Sequence, residues 1–311
     1  MSWAAHELES YVLQKHVKVR ISYVAVLFGC LLPDFFTKLP VYGLHIGNVE
    51  LIKAKTPYKY HRGWPGVGPT HSLLWAFLVS TIVLLVWRNR AWFLGILIGT
   101  AAHVLTDTFD SVGTMVFFPF TTQHYSTGMW AYASQQGRYG DAAAYYSSLG
   151  GVWDVFWLLV ALTGAGVLGR KYFREKVLPN DPGAWAWIKR TFGLNDSAMV
   201  AAYRAWFVYG TCRIAAWFAW ARLLNPARGH QVIDFSWGGP YWVDKVSYPF
   251  PGWGTFLQNT AVGIAGWTIT VIVCWRLFGK RLWERAAERE DEREAKARIE
   301  LGLGPIPAVA D

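Results

Sequence analysis

Two runs of this chain carry no charged residue at all: Ser72–Trp87 over 16 residues and Phe256–Trp275 over 20. A helix needs roughly 20 apolar residues to cross a ~30 Å hydrocarbon core. The second run meets that length outright, and the first meets it where flanking residues snorkel or the bilayer thins. With 53% of its residues hydrophobic and 16% charged, the chain reads as all-α, a polytopic helical membrane protein. No strand-period alternation competes with that reading.

The same logic places six membrane segments. They are Val19–Leu32 (ended by Pro33), Thr70–Trp87, Ala91–Asp107, Trp153–Leu168, Val200–Leu224 (interrupted by Arg213) and Thr255–Phe278. An N-terminal amphipathic helix, Ser2–Gln14, precedes them, with Trp3, Leu8, Tyr11 and Val12 on its apolar face. A charged helix over Lys280–Glu300 follows, its acids and bases alternating as on a solvated helix laced with ion pairs. The third segment contains Gly95-x-x-x-Gly99, a spacing that permits close helix approach. Arg213, set among apolar neighbours, is expected to pair with a carboxylate or carbonyls on another helix or subunit, Asp154 being one candidate. The expected divisions are 1–125, a loop over 126–150, further membrane helices over 151–279 and a tail over 280–311.

The net charge of +9 does not point to nucleic acid, because the basic residues cluster beside apolar segments, at Lys15/Lys18/Arg20, Arg88/Arg90, Arg170–Lys176 and Arg276–Arg281. Such clusters set membrane orientation through the positive-inside rule. Placing them in the cytoplasm, with the C-terminus, puts the loops 34–69, 110–150 and 225–254 outside. Cys30, Cys212 and Cys274 are far apart and lack metal-ligand spacing, so they read as small core residues. The first 15 residues are polar and lack the apolar region of a cleavable signal peptide.

On this topology Asp34, His61, His71, His103 and Asp107 all fall at the outer face. His103 and Asp107 stand at i and i+4, on one side of a helix. An imidazole and a carboxylate so placed suit a cation that takes mixed nitrogen and oxygen ligands, such as zinc. Ionisable groups near a membrane core are costly and usually serve a site. His16 reads as interfacial, and His45, His124 and His230 as ordinary loop histidines.

Leu31-Leu-Pro-Asp34, His61-Arg-Gly63, Thr70-His-Ser72 and His103-x-x-x-Asp107, with Gly113 and Pro119-Phe120 following, resemble the YdjM-like membrane-bound metal-dependent hydrolases. That family is in turn similar to zinc-dependent phospholipase C, an α-helical fold with a His/Asp metal cluster. The resemblance covers about residues 1–125 and implies a metal set of His6, Asp34, His61, His71, His103 and Asp107. It implies one or two divalent cations, zinc above all, with Asp34 as ligand or base and Arg62 as a clamp for a phosphoryl oxygen. His6 can share a site with Asp34 only if the chain reverses near His16–Lys18, since one straight helix would separate them by about 42 Å. Two departures stand out: Phe36 occupies the place of the family's second aspartate, and Trp64–Pro69 splits the His-Arg-Gly and Thr-His-Ser motifs. Two functional classes follow. One is an integral-membrane hydrolase of a phosphoester in a lipid or lipid-linked substrate. The other is a non-catalytic accessory subunit of a membrane complex, docking other subunits through Arg213 and the charged tail.

Overall fold

A computed structural model of the chain describes residues 3–46, 49–53, 69–109, 113–121, 123–127, 146, 149–219, 273, 276–277 and 280–304. The described residues are mostly helical. The helices are α1 (Trp3–His16), α2 (Tyr23–Tyr42), α3 (Leu73–Trp87), α4 (Arg90–Thr106), α5 (Leu149–Thr163), α6 (Pro182–Phe192), α7 (Asp196–Ala219) and α8 (Lys280–Glu300). Short helical turns over 165–180 join α5 to α6. An antiparallel hairpin, β1 (Leu44–Ile46) with β2 (Val49–Ile52), pairs Leu44 with Ile52. Strands of three and four residues are too short to register as alternation, which is why the sequence does not announce them.

The bundle is built around α1. The chain reverses between His16 and Tyr23, so α1 and α2 form a helical hairpin, and α4, α5 and α7 also pack on α1. The expected N-terminal amphipathic helix forms, but its polar residues are not solvated, since His6, Glu7, Glu9, Ser10 and Gln14 are all buried. His6 reaches Asp107 at the end of α4 and Glu7 reaches Arg213 of α7, while Ser10 Oγ donates to Glu7 O and Glu9 meets His6 within α1 itself.

Pro33 does not end α2, which continues to Tyr42. A proline inside a helix removes the hydrogen bond to the carbonyl four residues back. That carbonyl is Gly29 O, and the Thr100 hydroxyl of α4 donates to it at 3.1 Å. Thr37 Oγ1 donates in turn to Pro33 O at 3.2 Å. The neighbouring helix thus replaces the bond that the ring deletes.

The Gly95/Gly99 spacing is a real contact surface. A Cβ on Gly99 would stand 2.4 Å from Val26 O, and one on Gly95 would stand 2.7 Å from Ala25 Cβ. The α2 and α4 backbones therefore touch. Outside this seam the helices present apolar residues, among them Phe28, Phe77, Ile82, Leu85, Val86, Phe156, Leu159 and Val208. Polar residues inside and large apolar residues outside is the pattern that a lipid environment favours.

Among the described residues one helical stretch, Arg90–Phe109, is long and apolar enough to cross a membrane unaided. Tyr23–Thr37, Leu73–Trp87 and Gly150–Thr163 are apolar but shorter. The sixth expected segment lies almost wholly outside the described residues, as does the end of the fifth. The C-terminal helix forms as expected but is only partly solvated. Arg20 reaches Glu294 at 2.7 Å, Asn89 reaches Glu290 at 2.9 Å, and Ala297 and Arg298 are buried.

Candidate metal centre

Three helices and one turn deliver five ionisable side chains to a single point. His6 comes from α1, Asp34 from α2 just beyond Pro33, and His103 from the last turn of α4. Asp107 is the residue that ends α4, its backbone N–H bonding back to His103 O. His71 sits in the tight turn Pro69–His71, fixed by Ser72, which caps α3 by accepting from Trp75 N at 3.2 Å. Leu73 N–H also bonds to Val116 O at 3.0 Å, tying that turn to the segment after α4. All five side chains are buried.

The contacts between them are tight. His6 Nε2 lies 3.3 Å from Asp107 Oδ1, and His71 Nε2 lies 3.3 Å from His103 Nε2. Asp107 Oδ2 is 3.4 Å from His103 Nε2 and 3.6 Å from His71 Nε2. Asp34 Oδ1 is 3.7 Å from His71 Nε2 and 3.9 Å from His103 Nε2. The His6 and His103 rings stack at 3.7 Å. Two overlapping triads result, His6/His103/Asp107 and Asp34/His71/His103, and each can hold a metal ion. Ligand atoms around a tetrahedral cation at about 2.0–2.1 Å stand about 3.3–3.4 Å apart, which the shortest of these separations match.

The far side of each ring is engaged as well. His103 Nδ1 lies 2.6 Å from Cys30 O, and a carbonyl only accepts, so Nδ1 carries the proton. His6 Nδ1 meets Glu9 Oε2 at 3.1 Å, and His71 Nδ1 meets Thr70 Oγ1 at 3.1 Å. Each imidazole is thereby oriented with Nε2 inward, the arrangement that metal-binding histidines adopt. Glu9, Cys30 and Thr70 are the residues that sequence reading did not assign to the site. Glu9 had a signal, three residues after His6 on the same helix face; the Cys30 carbonyl had none.

The remaining expectations divide. His61 and Arg62 lie outside the described residues, as does His230. His124 lies in irregular structure after α4, as a loop histidine would, and is buried there. Phe36 points away from the cluster, 47% exposed against 1% for Asp34, with its ring 5.6 Å from that of Trp75. Two residues along a helix rotate the side chain by about 200°, so an aspartate at 36 would not face these histidines here. The insertion Trp64–Pro69 leaves His71 in the cluster. Arg213 pairs with Glu7, Nη1 to Oε1 at 3.3 Å, while Asp154 accepts from Tyr146 at 2.9 Å.

A profile of the YdjM inner membrane protein family matches residues 3–173, just over half of the 311-residue chain. The chain belongs to this family. The YdjM match runs well past residue 125, through α5 into the turns before α6, so the family's share is longer than the short motifs alone suggest. It includes all five clustered residues and makes this a membrane protein. No curated protein and no solved structure matches the chain.

Proposed function

We propose that this chain is an integral-membrane, metal-dependent hydrolase acting on a phosphoester of a lipid or lipid-linked substrate. One observation carries the reading. Three histidines, each turned by a bond at Nδ1, aim Nε2 at two carboxylates in the buried interior of the protein. Three imidazoles and two carboxylates form a donor set that favours zinc among the available cations, as one ion or as two sharing His103. When bound, the cation supplies Lewis acidity to the phosphoryl centre.

The chain's own residues do the rest. His6, His71, His103 and Asp107 hold the charge in place, and Asp34 either joins them or accepts the proton of the attacking water. His61 and Arg62, next in the motif order, complete the ligand set and clamp a phosphoryl oxygen. The buried setting strengthens each of these electrostatic contacts. Six membrane segments, with the basic clusters and C-terminus in the cytoplasm, place the cluster at the outer face, where a lipid headgroup can approach it.

The test is elemental analysis of the detergent-purified chain beside a His103→Ala/Asp107→Ala variant, followed by hydrolysis assays on phosphoester lipids. Stoichiometric zinc lost in the variant, with activity that chelator removes and zinc restores, is the expected result. Negligible metal in both proteins, or hydrolysis indifferent to chelator, would overturn the reading in favour of a non-catalytic subunit.

A further inference from the structure

At the opposite end of the bundle from the metal centre lies a groove of about 610 Å³ between α6, α8 and the turn joining α3 to α4. Arg90 begins α4 there and His103 lies thirteen residues on, which puts the two sites about 20 Å apart. Trp87, Trp92 and Trp187 form much of the groove's wall, and Arg190, Arg293 and Lys296 stand along it. Two carboxylates also line it, and both are engaged. Asp181 accepts from Ser22 Oγ, from Trp92 Nε1 at 2.8 Å and from Ala184 N at 3.1 Å. Burial pushes its carboxyl above the ordinary carboxylate range, against those hydrogen bonds. Glu290 accepts from Asn89 at 2.9 Å.

The position of the groove matters as much as its lining. Trp87 ends α3 directly after Leu85 and Val86, both exposed, so the groove opens where the apolar outer face of that helix stops. Tryptophan at such a boundary occupies the headgroup level of a bilayer. Cations there attract anionic lipid. Arg190, Arg293 and Lys296 outnumber Glu290 in the lining. Arg190 also pairs with Glu300 at 2.9 Å and Arg293 with Glu290 at 3.9 Å, partly solvated pairs of the weak kind that a phosphate can displace. We propose that this groove binds one anionic phospholipid of the adjacent leaflet. The three cations meet its phosphate, and the tryptophans take the glycerol and the start of the acyl chains. A free phosphate ion would use the cations but leave the apolar wall without a role.

The experiment is native mass spectrometry of the full chain released from vesicles of equal phosphatidylglycerol and phosphatidylcholine. The wild type is compared with Arg293→Glu/Lys296→Glu and with Lys280→Glu/Arg285→Glu, which makes the same charge change on exposed α8 positions outside the groove. One retained phosphatidylglycerol, reduced about tenfold by the groove substitutions and not by the control pair, is the expected result. Equal loss in both variants would show general charge attraction and overturn the site. So would equal retention of phosphatidylcholine, displacement of the lipid by millimolar inorganic phosphate, or a protein partner in its place. Should the double reversal unfold the chain, Lys296→Gln alone serves for the same comparison.

Discussion

His6 and Glu9 stand three residues apart on α1, close enough for the Glu9 carboxylate to hold His6 Nδ1 at 3.1 Å. A carboxylate behind a ligating imidazole fixes its tautomer and raises its basicity, and removing one costs about 10–100-fold in metal affinity. Glu9→Gln is therefore expected to weaken zinc binding by about tenfold, because the amide still bonds to the ring but no longer carries charge. His103→Ala should abolish binding, since His103 belongs to both triads. Competition with a fluorescent zinc chelator measures both, and an unchanged affinity for Glu9→Gln would remove Glu9 from the site. His103 and Asp107 were legible from their i, i+4 spacing, His71 and Asp34 from standing at the matching ends of their segments, and His6 through the resemblance to the family. The Cys30 carbonyl was not, because a backbone acceptor is invisible until α2 is laid against α4.

That packing is where single atoms govern whole elements. Gly95 and Gly99 bring α4 onto the α2 backbone, and the approach lets Thr100 reach Gly29 O and His103 reach Cys30 O. Gly99→Ala puts a methyl 2.4 Å from Val26 O and 3.0 Å from Cys30 N, both backbone atoms, so the helices must part. Overpacking of this kind costs about 1–3 kcal/mol. It should also lower zinc occupancy, because it pulls His103 from its carbonyl. Thr100→Val keeps the shape but leaves Gly29 O without the hydroxyl beside Pro33, at a cost of about 1–2 kcal/mol. Thermal unfolding in detergent reads both, with Gly166→Ala as the neutral control because its Cβ would meet nothing within 4 Å. The segments containing α3, α4 and α5 were legible because a long apolar run with no more than one carboxylate has few alternatives to a helix. The path through Pro33 was not, because the residue that rescues it lies 67 positions further along the chain. The hairpin of β1 and β2 was too short to show a period.

The burial of α1 gives the C-terminal part of the chain a physical role. α7 lies along α1, with the Tyr11 hydroxyl donating to Tyr203 O and accepting from Phe207 N at 3.0 Å. Nearly three turns of α7 beyond Tyr203, Arg213 meets Glu7, the residue next to His6. A segment beyond the YdjM match thus braces the helix that supplies one of the five clustered side chains. Glu7 is buried and the Arg213 side chain is 21% exposed. Removing the partner of a buried charge is strongly destabilising, and this partly solvated pair scales to about 2 kcal/mol. Arg213→Ala should lower the unfolding temperature and, through α1, weaken zinc binding by several-fold. Glu7→Gln in the Arg213→Ala background should recover part of both losses, because it removes the stranded charge. Arg213→Ala that lowers stability without touching zinc affinity would mean that α1 keeps His6 in place unaided. Recovery of both together would show that α7 and the metal centre are coupled through α1.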